Sequence, residues 1–104
     1  MEGSTAYDLF PQVQGSIPPH SHQLVSTSLA IEIHPSYYGQ ISSRSRLSSN
    51  HLIDIATGVI DSDYRGVLKV LLHNHSDRPF PITPDQAIAQ ILFLPLCPLL
   101  LEET

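Results

Sequence analysis

The chain has 104 residues, 41% of them apolar, with 10 acidic against 5 basic side chains for a net charge of −5, 9 Pro, 5 Gly and a single Cys. That length bounds it to one small domain, 1–104, burying about 60–65% of the surface its unfolded form exposes, so self-association would stabilise it considerably. The acidic balance excludes nonspecific nucleic-acid binding, which needs clustered Lys and Arg, and the longest apolar run, Ile91 to Leu101, is too short and too interrupted by Pro95 and Pro98 to span a membrane.

Met1-Glu2-Gly3-Ser4 has neither the basic flank nor the apolar stretch of a secretion signal, so an intracellular location is expected. Frequent Pro and Gly leave little room for long helices, and the apolar residues between them alternate or run in short blocks, the pattern of strands. From Leu24 to Ile33, Leu29, Ile31 and Ile33 share one face of an expected strand, and His34-Pro35-Ser36 supplies a turn. Tyr37 to Ser42 starts the next strand. Gln40 to Thr57, free of Pro and Gly but rich in Ser, allows at most one short helix near Leu47 to His51. Val59 to Asn74 reads as a hairpin with an acidic polar loop, Asp61 to Gly66. A turn over Pro79 to Asp85 then leads into a buried strand, Ile88 to Leu94. Short strands at this spacing give an all-β class, a sandwich or closed barrel. Cys97 has no partner for an internal disulfide and reads as a small apolar packing residue.

Several polar clusters could carry chemistry. His20-Ser21-His22 and His73-Asn74-His75 each place two imidazoles on one strand face, half of a metal site, but no Cys or carboxylate is expected to complete either pair, and a solvated face accounts for both equally well. Ser42-Ser43-Arg44-Ser45-Arg46 packs guanidinium and hydroxyl donors in a manner suited to phosphate oxygens, although alone it reads as a polar loop. Asp61 and Asp63 beside Tyr64 offer a base and a stacking ring, or simply turn formers.

Taken together, these segments resemble a family. Thr5-Ala6-Tyr7-Asp8-Leu9-Phe10, the run Leu29-Ala30-Ile31-Glu32-Ile33-His34-Pro35-Ser36-Tyr37-Tyr38-Gly39, Gly58-Val59-Ile60-Asp61-Ser62-Asp63-Tyr64-Arg65-Gly66 and Ile88-Ala89-Gln90 follow the order and spacing of the trimeric dUTP pyrophosphatases. The likeness covers about Thr5 to Phe93, and the compact form with a Pro-rich, acidic end looks most like the retroviral or retroelement branch, which adds a virion-associated location to the intracellular one.

The resemblance implies a jelly-roll-like β-barrel, a homotrimer with active sites between subunits, and Mg²⁺-assisted hydrolysis of dUTP to dUMP and pyrophosphate, which limits uracil incorporation into DNA. Asp61 matches the general base that activates water for attack on the α-phosphorus. Tyr64 matches the ring that packs on the deoxyribose. Thr57, Gly58 and the returning segment near Lys69 match the uracil slot, Arg44 and Ser45 the phosphate contacts, Gln90 a phosphate-side glutamine, and Asp8 the acid that helps hold hydrated Mg²⁺. Where the family continues Ser-Gly-Leu, Arg46 follows Ser45 and adds a cation beside the phosphates. Ala56-Thr57 and Asp85-Gln86-Ala87 also depart from the pattern, and the end, Leu99 to Thr104, has no counterpart of the family's Gly-rich fifth motif, the C-terminal arm. These departures support an alternative, a catalytically weak or silent trimer acting as a nucleotide-binding or protein-interaction module. A trimeric dCTP deaminase shares the fold, but the unbroken Asp61-Ser62-Asp63-Tyr64 favours the uracil branch.

Overall fold

Alternation of apolar and polar side chains builds nine strands among the residues that a computed structural model describes, 6–44, 51–55 and 58–97. They are β1 (Ala6–Leu9), β2 (Gly15–Ile17), β3 (Ser21–Ala30), β4 (Tyr37–Ser42), β5 (Ile53–Ile55), β6 (Val59–Ile60), β7 (Val67–Asn74), β8 (Phe80–Ile82) and β9 (Ala89–Pro95). All pairings are antiparallel, in sheets ordered β1-β9-β4-β6, β3-β7-β5 and β2-β8. No helix occurs among the described residues.

The period of two decides which side chains meet. On β7, Leu68, Val70, Leu72 and Asn74 are buried while Val67 and Lys69 are exposed. The inward rows join Leu9, Ile17, Val25, Ile41, Ile53, Ile82, Ile88, Ala89 and Ile91 in one core between the sheets. Fully burying an aliphatic side chain of this kind contributes roughly 1.5–3 kcal/mol. The result is a jelly-roll-like all-β fold: the all-β class is what the sequence pattern led one to expect, and the jelly roll is what the resemblance implied.

One polar residue organises the core's edge. Asn74 is 0% exposed, and its Nδ2 donates to the carbonyls of Ile17 (3.0 Å), Pro18 (3.3 Å) and Arg78 (2.8 Å). Its Oδ1 accepts from Ser76 N (3.0 Å) and Ser76 Oγ (2.8 Å). The side chain thus ties the end of β2 to β7 and to the approach to β8. Asn74→Leu keeps the volume but strands these partners, so unfolding free energy should fall by about 2–4 kcal/mol. Urea denaturation reads this directly, and an unchanged midpoint would refute the account.

Several expectations need correction. The strand foreseen over Leu24–Ile33 begins earlier and ends at Ala30, because its register slips between Ser26 and Ala30 and the β7 partner ends at Val67. The turn after it is present, with Tyr37 N donating to the His34 carbonyl at 2.9 Å. Val59 to Asn74 is not a hairpin: β6 pairs with β4 and β7 with β3 and β5, so the acidic loop crosses from one sheet to another. Pro79 to Asp85 is not all turn, since Phe80–Ile82 pairs with β2, and the turn is confined to Thr83–Gln86. Cys97 is exposed past β9 rather than buried as a packing residue. The helix expected at Leu47 to His51 lies, apart from His51, outside the described residues.

Candidate functional site

Three strands of the larger sheet bring distant parts of the chain into one row. Asp8 on β1 lies directly across from Gln90 on β9, and Gln90 directly across from Ser42 on β4. Their neighbours Leu9, Ala89 and Ile41 are buried, so the row points away from the core. Gln90 Nε2 donates to Ser42 Oγ at 3.3 Å. Arg44, two residues beyond Ser42, reaches back so that its Nη1 donates to Asp8 Oδ1 at 2.5 Å, with the side chains 33% and 47% exposed. An ion pair this open to water adds little stability. Its value is positional, holding a guanidinium, an amide, a hydroxyl and a carboxylate on one polar face.

Beside this row β4 accepts the short strand β6. Ile41 N donates to the Gly58 carbonyl at 2.6 Å, and a Cβ on Gly58 would lie 2.3 Å from the Ile41 carbonyl oxygen. Only glycine lets the two backbones approach this closely. The approach forms the wall of an open groove of about 350 Å³, bordered by Gln40, Ser42, Ser43, Asp54, Gly58 and Val59.

The segment after β6 is a braced loop. Tyr64 N donates to the Asp61 carbonyl at 3.1 Å, closing a turn that leaves Asp61 and Asp63 exposed. The Tyr64 hydroxyl donates to the Val67 carbonyl at 2.6 Å while its ring packs against the core cluster. Arg65 Nη1 donates to the carbonyls of Ser62 (2.9 Å) and Tyr64 (2.8 Å), and its Nη2 lies 3.6 Å from Glu32 Oε2. Gly66, at φ +117°, makes the turn into β7 that a side chain would strain.

The structure therefore unites Asp8, Arg44 and Gln90 among the expected site residues, and adds Ser42 and the loop brace Arg65. Ser42 was visible only as part of a Ser/Arg cluster, and its role needed the β4–β9 register. Gly58 borders the groove, and Asp61 and Tyr64 stand on the loop after it. No hydrogen bond or ion pair among the described residues joins that loop to the Asp8 row. Lys69 is not brought to this group: it is exposed on β7, across from Ser26. Ser45, Arg46, Ala56 and Thr57 lie outside the described residues.

A family model described as dUTPase matches residues 1–104. The probable deoxyuridine 5′-triphosphate nucleotidohydrolase of Schizosaccharomyces pombe is 45% identical over 89 residues, 86% of this chain and 64% of that protein. The deoxyuridine 5′-triphosphate nucleotidohydrolase of fowlpox virus is 42% identical over 90 residues, 86% of this chain and 62% of that protein. The chain thus spans about three fifths of the length of these curated relatives. Among solved structures, a point mutant of the dUTPase from phage phi11 of S. aureus, described with a structural Mg(II) ion, superposes with a TM-score of 0.84 at 24% identity, covering 95% of this chain and 82% of that one. The Staphylococcus bacteriophage 80alpha dUTPase with dUpNHpp gives 0.85 at 25% identity, covering 95% and 75%. With a family model matched along its whole length and relatives above two fifths identity, the chain belongs to the dUTPase family.

Proposed function

We propose that the chain hydrolyses dUTP to dUMP and pyrophosphate, limiting uracil incorporation into DNA. The observation that carries this reading is the convergence of Asp8, Arg44 and Gln90 on one sheet face, at positions matching the family's phosphate-side motifs. Asp61 takes a proton from a water whose oxygen bonds to the α-phosphorus; the bond to the bridging oxygen breaks, and pyrophosphate leaves. Arg44, Ser45, Arg46 and Gln90 hold the triphosphate through charge-assisted and amide donors. Thr57 and the Gly58 backbone border the uracil slot, where a thymine methyl would clash, and the Tyr64 ring closes on the deoxyribose and leaves no space for a 2′-hydroxyl.

Mg²⁺ suits this donor set. Asp8 offers a half-exposed carboxylate beside the phosphate-side residues, and one carboxylate with triphosphate oxygens and waters meets the ion's preference for hard ligands. Asp8 is the residue that would hold it, and when bound the ion neutralises phosphate charge. A homotrimer with sites between subunits is supported by exposed Leu24, Leu29, Val59 and Val67 on the outer faces. A retroviral or retroelement origin, and with it an intracellular or virion-associated place, rests on the Pro-rich character of the sequence after Phe93, whereas the relatives above are fungal and poxviral.

The test is release of dUMP and pyrophosphate from dUTP with Mg²⁺, with dCTP, dTTP and UTP alongside. Turnover confined to dUTP supports the reading; none at high protein concentration, with dUpNHpp still bound, makes the chain a nucleotide-binding module instead. Arg44→Ala should raise KM for dUTP roughly tenfold or more, since charged hydrogen bonds are each worth about 1.5–3 kcal/mol. Initial-rate kinetics check this, and an unchanged KM would remove Arg44 from the phosphate contacts.

A further inference from the structure

The outer face of the β3-β7-β5 sheet carries a second polar cluster, to which the proposed hydrolysis assigns no role, and one of its members, Asp54, also borders the groove beside Gly58. β7 is the central strand, and His73 on it faces His22 of β3 on one side and Asp54 of β5 on the other. Directly opposed residues share a face with Cβ atoms about 4.5–5.5 Å apart. His75, two residues further on, belongs to the same face, and its backbone N–H is fixed by the Leu52 carbonyl at 2.9 Å. The imidazoles of His73 and His75 stack, with ring centroids 4.0 Å apart and planes at 22°. His75 Nε2 lies 3.0 Å from Asp54 Oδ2. The His22 ring stands edge-on to His73 at 5.8 Å.

Two expectations from sequence change here. His20 does not belong to this face: it precedes β3 in a left-handed turn conformation (φ 54°) and pairs with Asp77 at 2.6 Å. Conversely the His73/His75 pair does have a carboxylate, delivered by β5 and invisible in the local sequence.

We propose that Asp54, His73 and His75 form a binding site for a first-row divalent transition metal, with Zn²⁺ as the ion it takes. One ligand atom from each of the three residues lies within 4.8 Å of the others. Bonds of about 2.0–2.2 Å in a tetrahedral site put ligand atoms roughly 3.3–3.5 Å apart, so side-chain rotation closes the remaining distance. The strands need not move, because the register of β5 on β7 and the Leu52–His75 hydrogen bond hold the three backbones together. Two imidazoles with one carboxylate select zinc-like ions over Mg²⁺ or Ca²⁺, which want oxygen donors. The site therefore differs in chemistry from the one assigned to Asp8. About half of the Asp54 and His75 side chains is exposed, 49% and 46%, so the ion has an entry path, and three protein ligands leave a position for water.

The test is calorimetric titration of the full chain with Zn²⁺ alone, with Co²⁺ visible absorption reporting ligand geometry. Expected are one ion per chain with a dissociation constant of about 10 μM or tighter, a Tm that rises with free Zn²⁺, and Co²⁺ bands of tetrahedral type. The double variant His73→Ala/His75→Ala should weaken binding about 100-fold or more and Asp54→Asn about tenfold, while His20→Asn leaves it unchanged. All four positions are at least partly exposed, so circular dichroism should find every variant folded; if the double variant is not, Asp54→Asn with the Co²⁺ spectrum decides alone. Equal affinity across the variants, or no binding by the wild-type chain at about 100 μM Zn²⁺, overturns the proposal.

Discussion

Asp61→Asn should lower dUTP turnover by roughly 10²- to 10⁴-fold while binding of dUpNHpp changes by no more than a few-fold. The separation of chemistry from structure is unusually clean at this position. The turn that presents Asp61 is closed by its own carbonyl, which accepts from Tyr64 N, not by its carboxylate. Asparagine is as good a turn former as aspartate, and Arg65 holds the loop through the carbonyls of Ser62 and Tyr64. The variant should therefore keep the wild-type Tm. Pyrophosphate release, thermal unfolding and analogue titration on the same preparation check all three. Activity retained within a few-fold would remove Asp61 as the base, whereas loss of both activity and Tm would show that the carboxylate serves the fold.

The second large effect is expected from a single methyl group. Gly58→Ala places a Cβ 2.3 Å from the Ile41 carbonyl oxygen, a backbone atom that no side-chain rotation can move. Either β6 separates from β4 and the Ile41–Gly58 hydrogen bond is lost, or the groove wall shifts. A destabilisation of about 2–4 kcal/mol follows from such overpacking, and at roughly 4–8 °C per kcal/mol in a domain of this size the Tm should drop by about 10–25 °C. Binding of dUpNHpp should fall with it. Gly39 is the control, because there the tight contacts of an added Cβ would be with side-chain termini that can yield, Ile91 Cδ1 at 3.0 Å and Ile33 Cδ1 at 3.3 Å, while Ile60 Cβ at 3.6 Å is at ordinary contact distance. Gly39→Ala should cost clearly less, and equal Tm values for the two variants would refute the argument.

The fold class was legible because its signals are local. Alternation, turn residues and the absence of any long uninterrupted helical pattern suffice for an all-β reading, and Tyr37–Ser42, read as the start of a strand, is β4. Partners were not legible, since pairing depends on register between segments far apart in the chain. The Val59–Asn74 segment shows this well: apolar, acidic, apolar is the pattern of a hairpin, yet nothing local distinguishes a returning strand from one that departs to another sheet. β1, β2, β5 and β8 are three or four residues long, too short for a period of two to stand out. At the site, the resemblance supplied Asp8, Arg44 and Gln90 as separate motif members, but only the β1–β9–β4 register brings Asp8, Gln90 and Ser42 into one row. Asp54 carried no signal at all beside the histidines until β5 was seen to pair with β7.

The row of Asp8, Gln90 and Ser42 also sets an order of events during synthesis. Its three members come from the beginning, the end and the middle of the sequence, and β9 is the strand that joins the other two. A chain made only as far as β7 already has the whole β3-β7-β5 sheet available to pair. β1 and β4, by contrast, remain unjoined until β9 is free to pair with both. Such non-local closure is slow and leaves strand edges exposed in the meantime. A chain stalled before β9 would thus carry the groove beside Gly58 without the row of Asp8, Gln90 and Ser42, and the arrival of one late strand sets the moment at which that polar face first exists.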